Sequence, residues 1–99
     1  MDLNKQISMA VKTGKVQLGC KEAIDAAKTG KARLIVIASN CPEPDRSDIL
    51  HNARLSDVPV HVFSGSSMDL GAACEKPFLV AALTVREPGD SEILKLAEK

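Results

Sequence analysis

A three-layer α/β/α sandwich around a mixed four-stranded sheet is the architecture this sequence predicts, built as a single domain over residues 1–99. Three observations predict it. Apolar residues recur at helical spacing in segments that alternate with short runs rich in β-branched residues. One of those runs, Leu34-Ile35-Val36-Ile37-Ala38, is apolar throughout, as expected of a central strand covered on both faces. The length of 99 residues, 44% of them hydrophobic, supplies one core and little more.

The elements follow in order. Leu3, Ile7, Ala10 and Val11 share one face of a helix over 2–13, which Gly14 ends. Val16-Gln17-Leu18 is a short strand, and Gly19 follows it. Cys20, Ala23, Ile24 and Ala27 mark a second helix over 20–29, stopped by Gly30. After the central strand, Asn40 to Pro44 form a loop, with Pro44 suited to the first turn of a third helix that buries Ile49, Leu50 and Ala53. Val60 to Phe63 is a strand, and Ser64 to Ser67 a turn in which Ser66 or Ser67 caps a short fourth helix bearing Met68, Leu70 and Ala73. The apolar run Phe78 to Val85 reads as the last strand, with Phe78 its first core residue. Pro88-Gly89 turns the chain into a final helix, capped by Asp90 or Ser91, with Ile93, Leu94 and Ala97 inward.

Composition narrows the function classes. No apolar run approaches the roughly 18 residues of a membrane span, and the N-terminus has no charged stretch followed by an apolar one, so neither membrane nor secretion is expected. Cys20, Cys41 and Cys74 are widely spaced and form no CxxC pair, which supports neither a disulfide framework nor a zinc site. Free thiols suit a cytoplasmic protein. The net charge is zero, yet residues 1–33 carry Lys5, Lys12, Lys15, Lys21, Lys28, Lys31 and Arg33 against only Asp2, Glu22 and Asp25. A basic face that binds phosphate fits this asymmetry, and so does a solvated helix surface. With Phe63 and Phe78 as the only aromatics, base stacking on an open sheet face is not expected.

The turn Leu18-Gly19-Cys20-Lys21-Glu22 concentrates the chemistry. A strand ends there, a glycine admits close backbone approach, and a helix opens with unpaired amides and the positive end of its dipole. Phosphate fits such a place. Lys21 adds a charge, Lys28 extends the same helical face seven residues later, and the Glu22 carboxylate can accept from base amino or imino groups. The plainer reading is a tight strand-to-helix turn with Glu22 complementing the dipole. Cys20 as a nucleophile is disfavoured: Leu18 and Glu22 stand where a nucleophile elbow needs small residues, and Glu22 opposes a thiolate. His51 and His61 read as structural or exposed. Walker and dinucleotide-binding motifs are missing, and Glu43, Asp45 and Asp48 are most simply complements to a helix dipole rather than metal ligands. No catalytic residue, metal or cofactor is expected. Asn40, after the central strand, can read donors and acceptors or merely cap a turn. The loop of Lys76, Pro77 and Phe78 precedes the last strand, where an apolar side chain can wedge against an unstacked base.

These residues carry a resemblance. Gly19-Cys20-Lys21-Glu22-Ala23, the run Gly30 to Asn40, Ala53 to Ser56 ahead of Val58-Pro59-Val60, Ser67 to Gly71 and Pro88 to Leu94 together resemble the kink-turn RNA-binding family of ribosomal proteins, over nearly the whole chain. The resemblance implies an α/β/α fold without catalysis and a structural place in the large ribosomal subunit. The partners it implies are ribosomal RNA bearing a kink-turn, a sharply bent helix with a bulge beside sheared G·A pairs, and neighbouring ribosomal proteins. The free protein is expected to be a monomer. Carried over by position, Gly19 admits the RNA backbone, Lys21 meets phosphate or a base edge, Glu22 reads a guanine edge, Lys28 faces the backbone, Asn40 contacts a base, and Lys76, Pro77 and Phe78 pack against the bulge. Cys20 is counted among the RNA-contacting residues of this turn, although it stands where some relatives have an aromatic residue, and Asp25 where some have a basic one. Two alternatives stay open: a kink-turn protein of a guide-RNA particle, and a module that binds protein or a small anion.

Overall fold

The computed structural model describes residues 3–97. Its order is α1 (Leu3–Thr13), β1 (Lys15–Leu18), α2 (Cys20–Thr29), β2 (Leu34–Ile37), α3 (Asp45–Ser56), β3 (Val60–Val62), α4 (Ser67–Ala73), β4 (Ala82–Glu87) and a terminal 3-10 helix, Ile93–Ala97. The strands form one sheet in the order β1-β4-β2-β3. β4 runs antiparallel to both β1 and β2, whereas β2 and β3 are parallel, so the sheet is mixed as predicted.

Side-chain alternation along β2 divides the core. Leu34 and Val36 face a layer made by Ile7 and Ala10 of α1, Leu70 and Ala73 of α4, and Ile93. Ile35 and Ile37 face Ala23, Ala26 and Ala27 of α2 and Ile49 and Ala53 of α3. Every β2 residue is buried, the consequence of having helices on both sides. The α2 contribution is almost all alanine, and small side chains let α2 and α3 lie close together.

Local chemistry sets the boundaries. Gly30 ends α2 in the left-handed conformation (φ 68°). Ser66, not Ser67, caps α4 through a reciprocal box: its hydroxyl accepts from the Asp69 amide at 3.3 Å, and Asp69 Oδ2 accepts from the Ser66 amide at 3.0 Å. Pro44 sits one place before α3, at its N-cap, after a cis peptide bond, rather than inside the first turn.

Two expectations are corrected. The last strand begins at Ala82 instead of Phe78, because residues 78–81 turn across α4, leaving Phe78 55% and Leu79 64% exposed. The final element is a 3-10 helix, and the Glu92 amide ahead of it donates to Gln6 Oε1 at 2.7 Å instead of to an Asp90 or Ser91 cap. Asp2, the expected first residue of the N-terminal helix, lies outside the described residues, as does the side chain of Ala97. Among the described residues, no helix is long and apolar enough to cross a membrane.

Candidate nucleic-acid interface

The sheet directions bring three segments together. β1, β2 and β3 all end at the edge where β4 begins, since Leu18 pairs with Leu83 and Ile37 with Ala82. The segments beyond are pinned to the chain entering β4. The Gly19 amide donates to the Ala82 carbonyl at 2.8 Å, and the Ala38 amide donates to the Ala81 carbonyl at 2.8 Å. The Ser39 amide reaches the Gly65 carbonyl at 3.0 Å, joining the loop after β2 to the loop after β3.

Gly19 has φ 118°, a conformation that other residues adopt only with strain. A Cβ built there meets nothing within 4 Å among the described residues, so the glycine is required by backbone conformation, and the space before it is open to an incoming ligand. Among the described residues no side chain caps α2, and its first-turn amides have no intrahelical acceptor. Lys21 is exposed and Glu22 half-exposed beside them, and neither is ion-paired among the described residues. The site therefore offers amide donors and an ammonium for phosphate, with a carboxylate acceptor next to them.

The Cys20 side chain turns inward instead, toward the α2–α3 layer, with its Sγ 4.0 Å from Cys41 Sγ. Burial, then the neighbouring Cys41 and Asp45, push the Cys20 thiol up to about 12. This is the opposite of what a catalytic nucleophile at neutral pH needs.

Asn40 is exposed, and its Oδ1 accepts from the Ser67 amide at 2.7 Å, at the start of α4. The contact occupies one acceptor site and leaves the amide NH₂ donors for another partner. Beside it, Arg46 Nη1 donates to the Ser39 carbonyl at 3.4 Å, bringing a guanidinium to the same edge. No sequence signal had singled out this arginine.

Lys76, Pro77 and Phe78 are all exposed, and with Met68, Ala72 and Leu79 they line a shallow groove of about 350 Å³. Gly71 makes this arrangement possible. A Cβ there would fall 2.2 Å from the Phe78 carbonyl oxygen, so only glycine lets the loop cross α4 this closely. Met68 and Leu79, 68% and 64% exposed, lie in segments that the sequence marks only as the fourth helix and the last strand. The only warning was that the run 78–85 is twice as long as β1 or β2.

Not every predicted residue joins this edge. Lys28 lies in the last turn of α2, about 10 Å along the axis from Lys21 on the same face. The basic excess of the N-terminal third also disperses. Lys15, Lys31 and Arg33 lie toward the opposite end of the sheet, and Lys12 pairs with Glu75 at 2.7 Å. Among the described residues, no group of three or more His, Cys, Asp or Glu side chains is placed to hold a metal.

The model of the ribosomal protein L7Ae/L30e/S12e/Gadd45 family matches residues 1–95. The chain belongs to this family. Among its relatives is a protein of Methanothermobacter thermautotrophicus named large ribosomal subunit protein eL30, 48% identical over 97% of this chain and 98% of the relative. A protein of the same name from Methanosphaera stadtmanae is 47% identical over 99% of this chain and all of its own length. A solved structure of a protein of unknown function from Bacillus halodurans has a TM-score of 0.81 at 20% identity, covering 99% of this chain and 98% of the other. That last likeness concerns the fold alone. Sheet order places Gly19, Glu22, Asn40 and the Lys76 loop toward one edge, which spacing alone left as separate possibilities.

Proposed function

We propose that this chain is a structural protein of the large ribosomal subunit that binds a kink-turn in ribosomal RNA through the edge where β1, β2 and β3 end. The observation that carries the reading is the convergence of three chemically different segments on that edge, in a chain nearly half identical, end to end, to proteins named for the large subunit. The open backbone at Gly19 and the first amides of α2 receive phosphate, assisted by Lys21. The Glu22 carboxylate and the Asn40 NH₂ group meet base edges, one as acceptor and the other as donor. Phe78, Leu79 and Met68 give apolar contact to a base that has left its stack, with Lys76 beside them. Lys28 extends contact along the RNA backbone. The role is structural, not catalytic, in the cytoplasm and on the ribosome, beside neighbouring ribosomal proteins, and the free protein is a monomer.

Two short RNAs test the reading at one fixed salt concentration. One contains a kink-turn; in the other, Watson–Crick pairs replace the G·A pairs and the bulge is removed. Preference for the first is expected. Equal binding to both, or none to either, would sink the assignment.

A further inference from the structure

The cysteines offer a chemistry that RNA binding does not use. Cys20 opens α2, and Cys41 lies in the loop between β2 and α3. They come together because the alanine face of α2 packs closely on α3, carrying the start of one helix to the approach of the other. Their sulfurs are 4.0 Å apart, and both are free thiols. A disulfide needs the sulfurs about 2 Å closer. Cys74 belongs to the other core layer, on the far side of the sheet from Cys41. The fold therefore pairs two of the three cysteines and isolates the third.

We propose that Cys20 and Cys41 are an oxidisable dithiol that reacts with low-molecular-weight disulfides and closes a bridge between the start of α2 and the β2–α3 loop. Cys20 is the more accessible of the two residues, half-buried where Cys41 is only 6% exposed. Having released its proton to solvent, Cys20 attacks one sulfur of the small disulfide, forms a mixed disulfide and expels the first small thiolate. Cys41, deprotonated in turn, attacks the Cys20 sulfur, forms the Cys20–Cys41 bond and expels the second small thiolate. Each small thiolate takes up a proton. Two protein thiols are oxidised, and one small disulfide is reduced to two thiols. Burial raises both protein thiols above their ordinary range, so the exchange is slow at neutral pH and accelerates as pH rises. The proposal is independent of RNA binding.

The test equilibrates the folded, full-length protein with oxidised and reduced glutathione at about pH 8.5, where exchange outpaces that at neutrality. The solution is then acid-quenched and analysed by intact mass and peptide mapping. The expected product is monomeric, lighter by two hydrogens, with the Cys20 and Cys41 peptides linked. It should exceed either bridge to Cys74 by at least about tenfold, since those bridges require the fold to open. Cys20→Ser and Cys41→Ser, each checked for native circular dichroism, should form no intramolecular bridge. A wild-type protein that stays reduced or ends as single glutathione adducts would overturn the proposal. So would comparable bridging to Cys74. If one serine variant fails to fold, the wild-type map and the other variant still decide.

Discussion

The side-chain oxygen of Asn40 accepts a hydrogen bond from the backbone amide of Ser67 at 2.7 Å, joining the end of β2 to the start of α4. One carboxamide thus ties two elements together and still has two hydrogens to donate outward. Substitution separates these roles. Asn40→Asp keeps an acceptor for Ser67 but removes the donors and adds a negative charge, so it should fold normally and lose kink-turn affinity. Asn40→Ala loses both functions and should also cost about 1 kcal/mol of stability. Denaturant unfolding beside RNA titration distinguishes the two variants. Equal RNA affinity in Asn40→Asp and the wild type would remove Asn40 from the interface.

Lys21 and Glu22 are adjacent, yet their substitutions should have different signatures. Lys21→Ala should weaken all RNA binding and lower the salt slope by about one phosphate's worth. Glu22→Ala should instead cost about 1–3 kcal/mol of discrimination between matched and mismatched RNA. Affinities over a salt series with both RNAs measure each effect. A salt slope unchanged in Lys21→Ala, or parallel losses on the two RNAs in Glu22→Ala, would reject that residue's role.

Gly71 is buried, and the loop above it depends on its missing side chain. A methyl group 2.2 Å from the Phe78 carbonyl oxygen forces the loop off α4. Gly71→Ala should therefore lose about 1–3 kcal/mol of stability and weaken RNA binding through the displaced Phe78 and Leu79. Chemical denaturation reads the first effect. A backbone amide shift map confined to α4 and residues 75–81 would locate the second.

Thr84 is fully buried in β4, with no hydrogen-bond partner for its hydroxyl among the described residues. Thr84→Val keeps the shape and removes the unsatisfied oxygen. It should raise stability by about 1 kcal/mol and leave RNA affinity unchanged. A lower melting temperature would mean that this hydroxyl is satisfied in solution.

The layers of the fold were legible because they rest on periodicity. The unbroken apolar run of β2 announced a strand covered on both faces, and the faces of α1 and α3 followed from spacing. The segment 78–81 was misread because its apolar residues look the same whether they enter a sheet or cross a helix. Only the close approach at Gly71 decides between those outcomes, and that contact joins positions by tertiary packing. The turn at Gly19 was recognisable as a strand-to-helix junction with free amides. Its neighbourhood was not, because Asn40 and Lys76 reach that edge through sheet order rather than local sequence. Arg46 was missed for the same reason. The contact between Cys20 and Cys41 needed the helix packing before it could be seen.

The hydrogen bonds from Gly19 and Ala38 to the chain entering β4 carry a consequence for how the two partners share the work of association. They hold this edge in one shape, so in the proposed complex little protein ordering opposes binding. A kink-turn must instead bend sharply and turn a base outward. In the proposed complex the conformational penalty therefore falls mainly on the nucleic acid, and the protein acts as a mould, selecting RNAs by how readily they fold to its contour.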